Sequence, residues 1–177
     1  MRMRLHLLAL HLKQTFLRGV FYAVAIVVVM SAASTAAEPD GGARKSLDEF
    51  NQAFVNACQT MNQKSSAALW AEDGVDLLPG MQPMVRQAKI AAWLDSVASQ
   101  VAGAKMAYCT VDWKDIQIHG DLAYEWGINR QKIEFPGQQK SFANEGKIVL
   151  VLKRQASGSW KIALESWNSS PEADTKQ

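Results

Sequence analysis

Histidine and cysteine are the rare residues of this chain: three and two, respectively, in 177. His6 and His11 both fall in the first 37 residues, which leaves His119 alone beyond them. A protein zinc site needs three or four Cys, His or carboxylate ligands at tight spacing. No such cluster exists, so no metal and no other cofactor is called for. A Ser-His-Asp arrangement would have to use His119, which sits in the turn His119-Gly120-Asp121. Acidic residues are missing from residues 1–37, which carry Arg2, Arg4, Lys13 and Arg18. A clustered basic face is missing from the rest: beyond residue 37 there are 15 of the 19 Lys and Arg but all 17 Asp and Glu, a net charge of −2. That excludes nucleic acid as a partner, since binding it needs a concentrated positive surface. Internal repeats and low-complexity tracts are absent too.

The basic start is followed by the apolar run Phe21 to Met30 and by Ser31-Ala32-Ala33-Ser34-Thr35-Ala36-Ala37. A basic segment, an apolar segment of about 7–15 residues and a small-residue end make a secretory signal peptide. Gly19 to Ala37 is free of charge and close to the roughly 20 residues of a membrane helix. Its second half is Ala, Ser and Thr, too weakly apolar to hold a helix in lipid. The expectation is a signal peptide over 1–37, an exported (periplasmic or secreted) protein, and no stable membrane span after cleavage. In an oxidising compartment Cys58 and Cys109 could pair as a disulfide; free cysteines also pack as small hydrophobes, and the sequence leaves both options open.

Residues 38–45 read as a flexible leader, with one proline, two glycines and little that is apolar. Ser46-Leu47-Asp48-Glu49 then fits a capping box. Leu47, Phe50, Phe54, Ala57, Cys58 and Met61 recur at three and four residues, the stripe of an amphipathic helix. A short helix is expected over 64–71, stopped by Asp73-Gly74, then a short strand at Val75 to Leu78 ended by Pro79-Gly80. A third helix is expected from Arg86 to Val101. After Gly103 the period changes from 3.6 to 2. Strands are expected over 105–119, 122–135, 142–155 and 159–169, separated by segments with turn chemistry. Residues 171–177 are a polar tail.

Helices first and a strand meander after them is the α+β pattern. In Ile148-Val149-Leu150-Val151-Leu152 both parities are apolar, so both faces of the sheet want cover. Three helices cover one face. A two-fold homodimer is the expected cover for the other.

Leu69-Trp70-Ala71-Glu72-Asp73-Gly74-Val75, Leu78-Pro79-Gly80, Pro83-Met84-Val85-Arg86, His119 to Tyr124, Gly146-Lys147, Trp160-Lys161-Ile162 and Trp167-Asn168-Ser169 together resemble the SnoaL-like, ketosteroid-isomerase-like branch of the nuclear-transport-factor-2-like superfamily. The resemblance covers residues 46–170. It implies a cone, a curved antiparallel sheet wrapped around the N-terminal helices, with a pocket open at one end and a dimer as the usual state. Relatives include isomerases, cyclases, dehydratases and non-catalytic binding domains. One departure is Gln87, where relatives often carry a glycine after the arginine.

Catalysis in such a cone rests on a carboxylate whose pKa is lifted by desolvation. The candidates are Glu165, on the same strand face as Trp167, and Asp112, with Tyr124 as partner. Tyr124 shares a face with Trp126, and Glu125 points the opposite way. Trp70, Trp93, Trp113, Trp126, Trp167 and Asn168 are the candidate pocket residues. Three readings follow: a binding domain for a small apolar or amphipathic molecule, an isomerase, cyclase or dehydratase-type enzyme using a pocket carboxylate as general base, and a non-catalytic homodimeric interaction module.

Overall fold

A computed structural model describes residues 41–137 and 140–170. The segment 1–37 expected to be a signal peptide, residues 38–40 of the expected leader and the expected tail 171–177 lie outside the described residues.

Helix α1 spans Gly41–Gln59, α2 Gln63–Ala68 and α3 Gln87–Gln100; the strands are β1 Trp70–Leu77, β2 Met84–Val85, β3 Lys105–His119, β4 Leu122–Phe135, β5 Lys140–Arg154 and β6 Trp160–Ser169. The six strands form one curved, unclosed sheet in the order β2-β1-β6-β5-β4-β3. Four neighbouring pairs are antiparallel and β1 runs parallel to β6. Register breaks in β1–β6, β3–β4 and β5–β6 bend the strands, because an extra residue in one strand increases local twist.

Helix α1 starts at Gly41, so residues 41–45 belong to it and not to a leader. The cause is tertiary. Ala43 is buried, and the Trp160 indole Nε1 donates to the Ala43 carbonyl at 3.3 Å and to Ser46 Oγ at 3.0 Å. Ser46 Oγ in turn donates to the Ala43 carbonyl at 3.0 Å. The hydroxyl expected to cap the helix is spent inside it. Leu47, Phe50 and Ala57 form the buried stripe.

Helix α2 ends at Ala68, three residues before the expected stop, because Trp70 and Ala71 are buried and Trp70 pairs with Ile162 of β6. Glycine at 74 is required where β1 kinks: an added Cβ would lie 2.9 Å from the Trp70 ring and 3.0 Å from the Ile162 carbonyl. The positive φ of this loop falls on Arg86, at 82°. Gln87 does a different job. Its Nε2 donates to the Ala67 and Trp70 carbonyls at 2.9 and 3.1 Å, tying the start of α3 to the α2–β1 junction.

Ile148, Leu150 and Leu152 of β5, Ala123 of β4 and Ile162 of β6 make the sheet's share of the core under Leu47, Phe50 and Ile90. Cys58, in the last turn of α1, forms a disulfide with Cys109 of β3, with 6.1 Å between their Cα atoms.

Candidate functional site

The helices and the concave face of the sheet enclose a cavity of about 460 Å³. Its walls are mostly apolar: Phe54 from α1, Trp93 and Leu94 from α3, and Ile148, Ile162 and Trp167 from the sheet. Polar groups enter at three places, one of them Gln63 and Ser66 of α2. Asn129, Gln131 and Asn144 come from β4 and β5, and Asp76 and Glu165 come from β1 and β6.

The two acids are the distinctive feature. Asp76 and Glu165 are register partners in the parallel β1–β6 pair, so their backbones are roughly 4.8 Å apart, the ordinary spacing of neighbouring strands. Asp76 is 3% exposed, and its Oδ1 has no hydrogen-bond partner. Burial pushes its pKa up to about 6, opposed by the Leu77 backbone N–H. Glu165 is part-buried and borders the cavity. Desolvation, and then the neighbouring Asp76 charge, push its carboxyl up to about 8. Whichever carboxyl ionises first, its charge makes the second ionisation harder. Between those values the pair holds one proton.

Of the residues singled out in the sequence, Glu165, Trp70, Trp93 and Trp167 line this cavity, while Asp112, Tyr124, Trp113, Trp126 and Asn168 do not. Asp112 is on the outer face, paired with Lys114, which holds its carboxyl below the usual range. Tyr124 and Trp126 are 41% and 42% exposed, and the Tyr124 hydroxyl donates to Asp115 at 3.4 Å. Asn168 is exposed at the end of β6. Trp113 packs on Phe54 with ring centroids 6.3 Å apart, beside the cavity wall.

One parity accounts for the outward residues of β4. Ala123, Glu125, Gly127 and Asn129 face in, and the aromatics between them face out. Because side chains alternate along a strand, one choice of face settles all of them.

Asp76 and Glu125 are the buried acids that sequence reasoning passed over. Asp76 stood in Val75-Asp76-Leu77-Leu78, an acid inside an apolar run next to Pro79-Gly80, a signal that was available. Its pairing with Glu165 depends on a parallel register between segments about 90 residues apart, which has no local signature. Glu125 is 0% exposed; Asn51 Nδ2 of α1 donates to its Oε2 at 2.9 Å, and burial pushes its carboxyl up to about 7.

No protein-family model matches the chain, and no curated protein matches it in sequence. Solved structures do. A ketosteroid isomerase-like protein from Erwinia carotovora atroseptica superposes with a TM-score of 0.58 at 18% identity, over 76% of this chain and 99% of its own. An NTF2-like protein with a cystatin-like fold from Novosphingobium aromaticivorans gives 0.60 at 16%, over 74% and 84%. A protein from Catenulispora acidiphila, solved in complex with S-DNPA, gives 0.62 at 13%, over 73% and 95%. At these identities the likeness is one of fold: the chain has the nuclear-transport-factor-2-like fold, in the form shared with ketosteroid-isomerase-like proteins.

Proposed function

We propose that the cavity binds a small, largely apolar molecule bearing a carbonyl or hydroxyl group, and that Glu165 and Asp76 hold that polar group by hydrogen bonding. The observation that carries this reading is the pairing of the two acids at the wall of an otherwise apolar cavity of about 460 Å³. The volume lies in the range of small-molecule sites, where a few convergent polar groups fix orientation. The complex of the Catenulispora acidiphila protein with S-DNPA adds support for a ligand in this fold.

A second reading, proton transfer, is favoured by the spread of the pair across neutrality. Burial raises both carboxyls, so near pH 7 the pair shares a proton. An ionised and a neutral acid side by side suit abstraction of a proton from carbon and donation of one to oxygen. Under it the protein is an isomerase, cyclase or dehydratase-type enzyme, with Asp76 as base and Glu165 as acid.

Proton NMR in D2O with a panel of cyclic ketones and enones tests both readings. Binding appears as broadening of ligand lines, and proton transfer as loss of the α-proton signals. Glu165→Gln is expected to weaken binding about tenfold, the effect of losing one hydrogen bond to a charged or shared-proton group. If only proton transfer disappears in Asp76→Asn while broadening persists, the enzyme reading stands. A panel that neither broadens nor exchanges, with a bare mass for host-derived protein in native mass spectrometry, sinks both.

We also propose that two copies pack through the outer faces of their sheets. Leu122, Tyr124, Trp126 and Val149 are exposed there, on β4 and β5. Asp115 stands on the β3 side of this strip and Lys147 on the β5 side. A two-fold axis along the strands would bring one copy's β3 side over the other's β5 side. Export is proposed as well; the Cys58–Cys109 disulfide supports it, since such bonds persist in oxidising compartments.

A further inference from the structure

Three buried acids share one row across the concave face, running Ile116–Glu125–Leu150–Glu165–Asp76 from β3 to β1. Two of them serve the cavity. Glu125 does not line it, and nothing said so far gives it a task. It lies under the middle of α1, wholly buried, against Asn51, which is itself 8% exposed.

The hydrogen bonding of this pair is incomplete in a specific way. Asn51 Nδ2 donates to Glu125 Oε2 at 2.9 Å. The other oxygen of each group, Asn51 Oδ1 and Glu125 Oε1, is buried without a partner. An ionised carboxylate cannot repair this, because both orphans are acceptors. One proton on Glu125 Oε1 supplies the missing donor. A carboxylic acid facing a carboxamide can then make two bonds, N–H to oxygen and O–H to oxygen. Leaving two such acceptors unpaired in a dry interior is costly.

We propose that Glu125 is a neutral carboxylic acid whose proton bridges to the Asn51 carboxamide, so that the seating of α1 on the sheet depends on pH. Burial also raises its affinity for that proton. The charged groups facing it from α1 are Arg44 and Asp48, an ion pair at 3.0 Å whose effects on Glu125 oppose each other. From β3 and β5 the row presents only Ile116 and Leu150; Glu165 and Asp76 lie beyond Leu150. Loss of the proton leaves a bare carboxylate beneath the helix. Phe54 and Cys58, one and two turns along α1 from Asn51, line the cavity, so the latch sets the cavity wall whatever the cavity holds.

Thermal unfolding of the whole protein from pH 5 to pH 8.5, with Glu125→Gln alongside, tests this. Glutamine keeps the shape and donates to Asn51 Oδ1 without titrating. The variant should match the wild type at pH 5 and melt about 5 °C or more above it at pH 8.5. Amide-exchange protection of residues 47–58 should fall with pH in the wild type and hold in the variant. An ionised Glu125, or a water bridging the two orphans, predicts a variant less stable at both pH values with a parallel profile, and that result overturns the proposal. If the variant does not fold, the Glu125 carboxyl carbon of the wild type, assigned through its own backbone, is titrated by NMR. A midpoint near or above 7 upholds the proposal and one near 4.5 overturns it.

Discussion

The two faces of β4 make opposite use of the same fourteen residues. Inward stand Ala123, Glu125, Gly127 and Asn129, small or polar. Outward stand Leu122, Tyr124 and Trp126, large and 41–51% exposed. An amphipathic strand ordinarily turns its bulk to the core. Here the core side is crowded by α1 and by the bulky Ile148, Leu150 and Leu152 of β5, so β4 contributes little volume there and a buried acid is held by Asn51. The bulk is placed where the described residues of one chain offer nothing to cover it. Inside a cone, hydrophobicity alone does not tell the concave face from the convex one.

The largest effects should separate those faces. Leu150→Ala removes a wholly buried side chain and should cost about 2–5 kcal/mol, measured by urea unfolding. Val149→Ala, its 40%-exposed neighbour, should cost well under about 1 kcal/mol in a monomer. Trp126→Lys breaks the symmetry from the other side. It should convert a dimer to a monomer in light scattering after gel filtration, with the melting temperature of the isolated fold little changed. If the unaltered protein already has the mass of one chain, or Trp126→Lys leaves it at two, and Val149→Ala destabilises as much as Leu150→Ala, the outer face is not an interface and the contrast fails.

Within the inner face, the two acid environments should differ by a smaller margin. All three raised acids bind their protons more tightly folded than unfolded. Stability is therefore fully present below about pH 4 and is lost as pH rises through about 6, 7 and 8, for Asp76, Glu125 and Glu165 in turn. Glu165→Gln should leave the melting temperature at pH 4 unchanged and raise it at pH 9. The gain should be about 1–2 kcal/mol, because Glu165 borders the cavity and keeps some hydration. Calorimetry that found Glu165→Gln destabilising at pH 9 would show the carboxylate to be stably ionised and paired.

The strand half was legible because its signals are local. The bounds of β3 and β4 follow from alternation and from turn residues at 120–121 and 136–137, and the structure keeps them. The helical half was less so. The start of α1 depends on Trp160, 117 positions from Ala43, and the end of α2 depends on Trp70 joining β6. The site divided along the same line. Glu165 beside Trp167 could be read from period 2 on β6, whereas Asp76 needed a parallel register. Tyr124 and Trp126 were assigned to the wrong face because alternation gives two sets and does not say which is inside. The small residues Ala123 and Gly127 were the available clue, and at Gly127 the reason is a close strand approach, an added Cβ lying 2.7 Å from the Asp112 carbonyl of β3.

The most local test concerns Gly146. An added Cβ there would run into the Trp167 indole, which lies over it on the inner face. Trp167 also lines the cavity, so the glycine and the ring are one device, the ring filling space that a β5 side chain would take. Gly146→Ala cannot shift the backbone at low cost, because residues 140–153 are paired with β4 throughout. The ring must then move, and the cavity it lines is open space beside it. We expect a loss of about 1–3 kcal/mol in stability, as for overpacking of a filled core, and a smaller cavity. Ligand-line broadening by the ketone panel should weaken while the pH dependence assigned to Glu125 persists. Were both to change together, the cavity and the latch under α1 would be a single unit, and the inner face could not be divided into a binding part and a holding part.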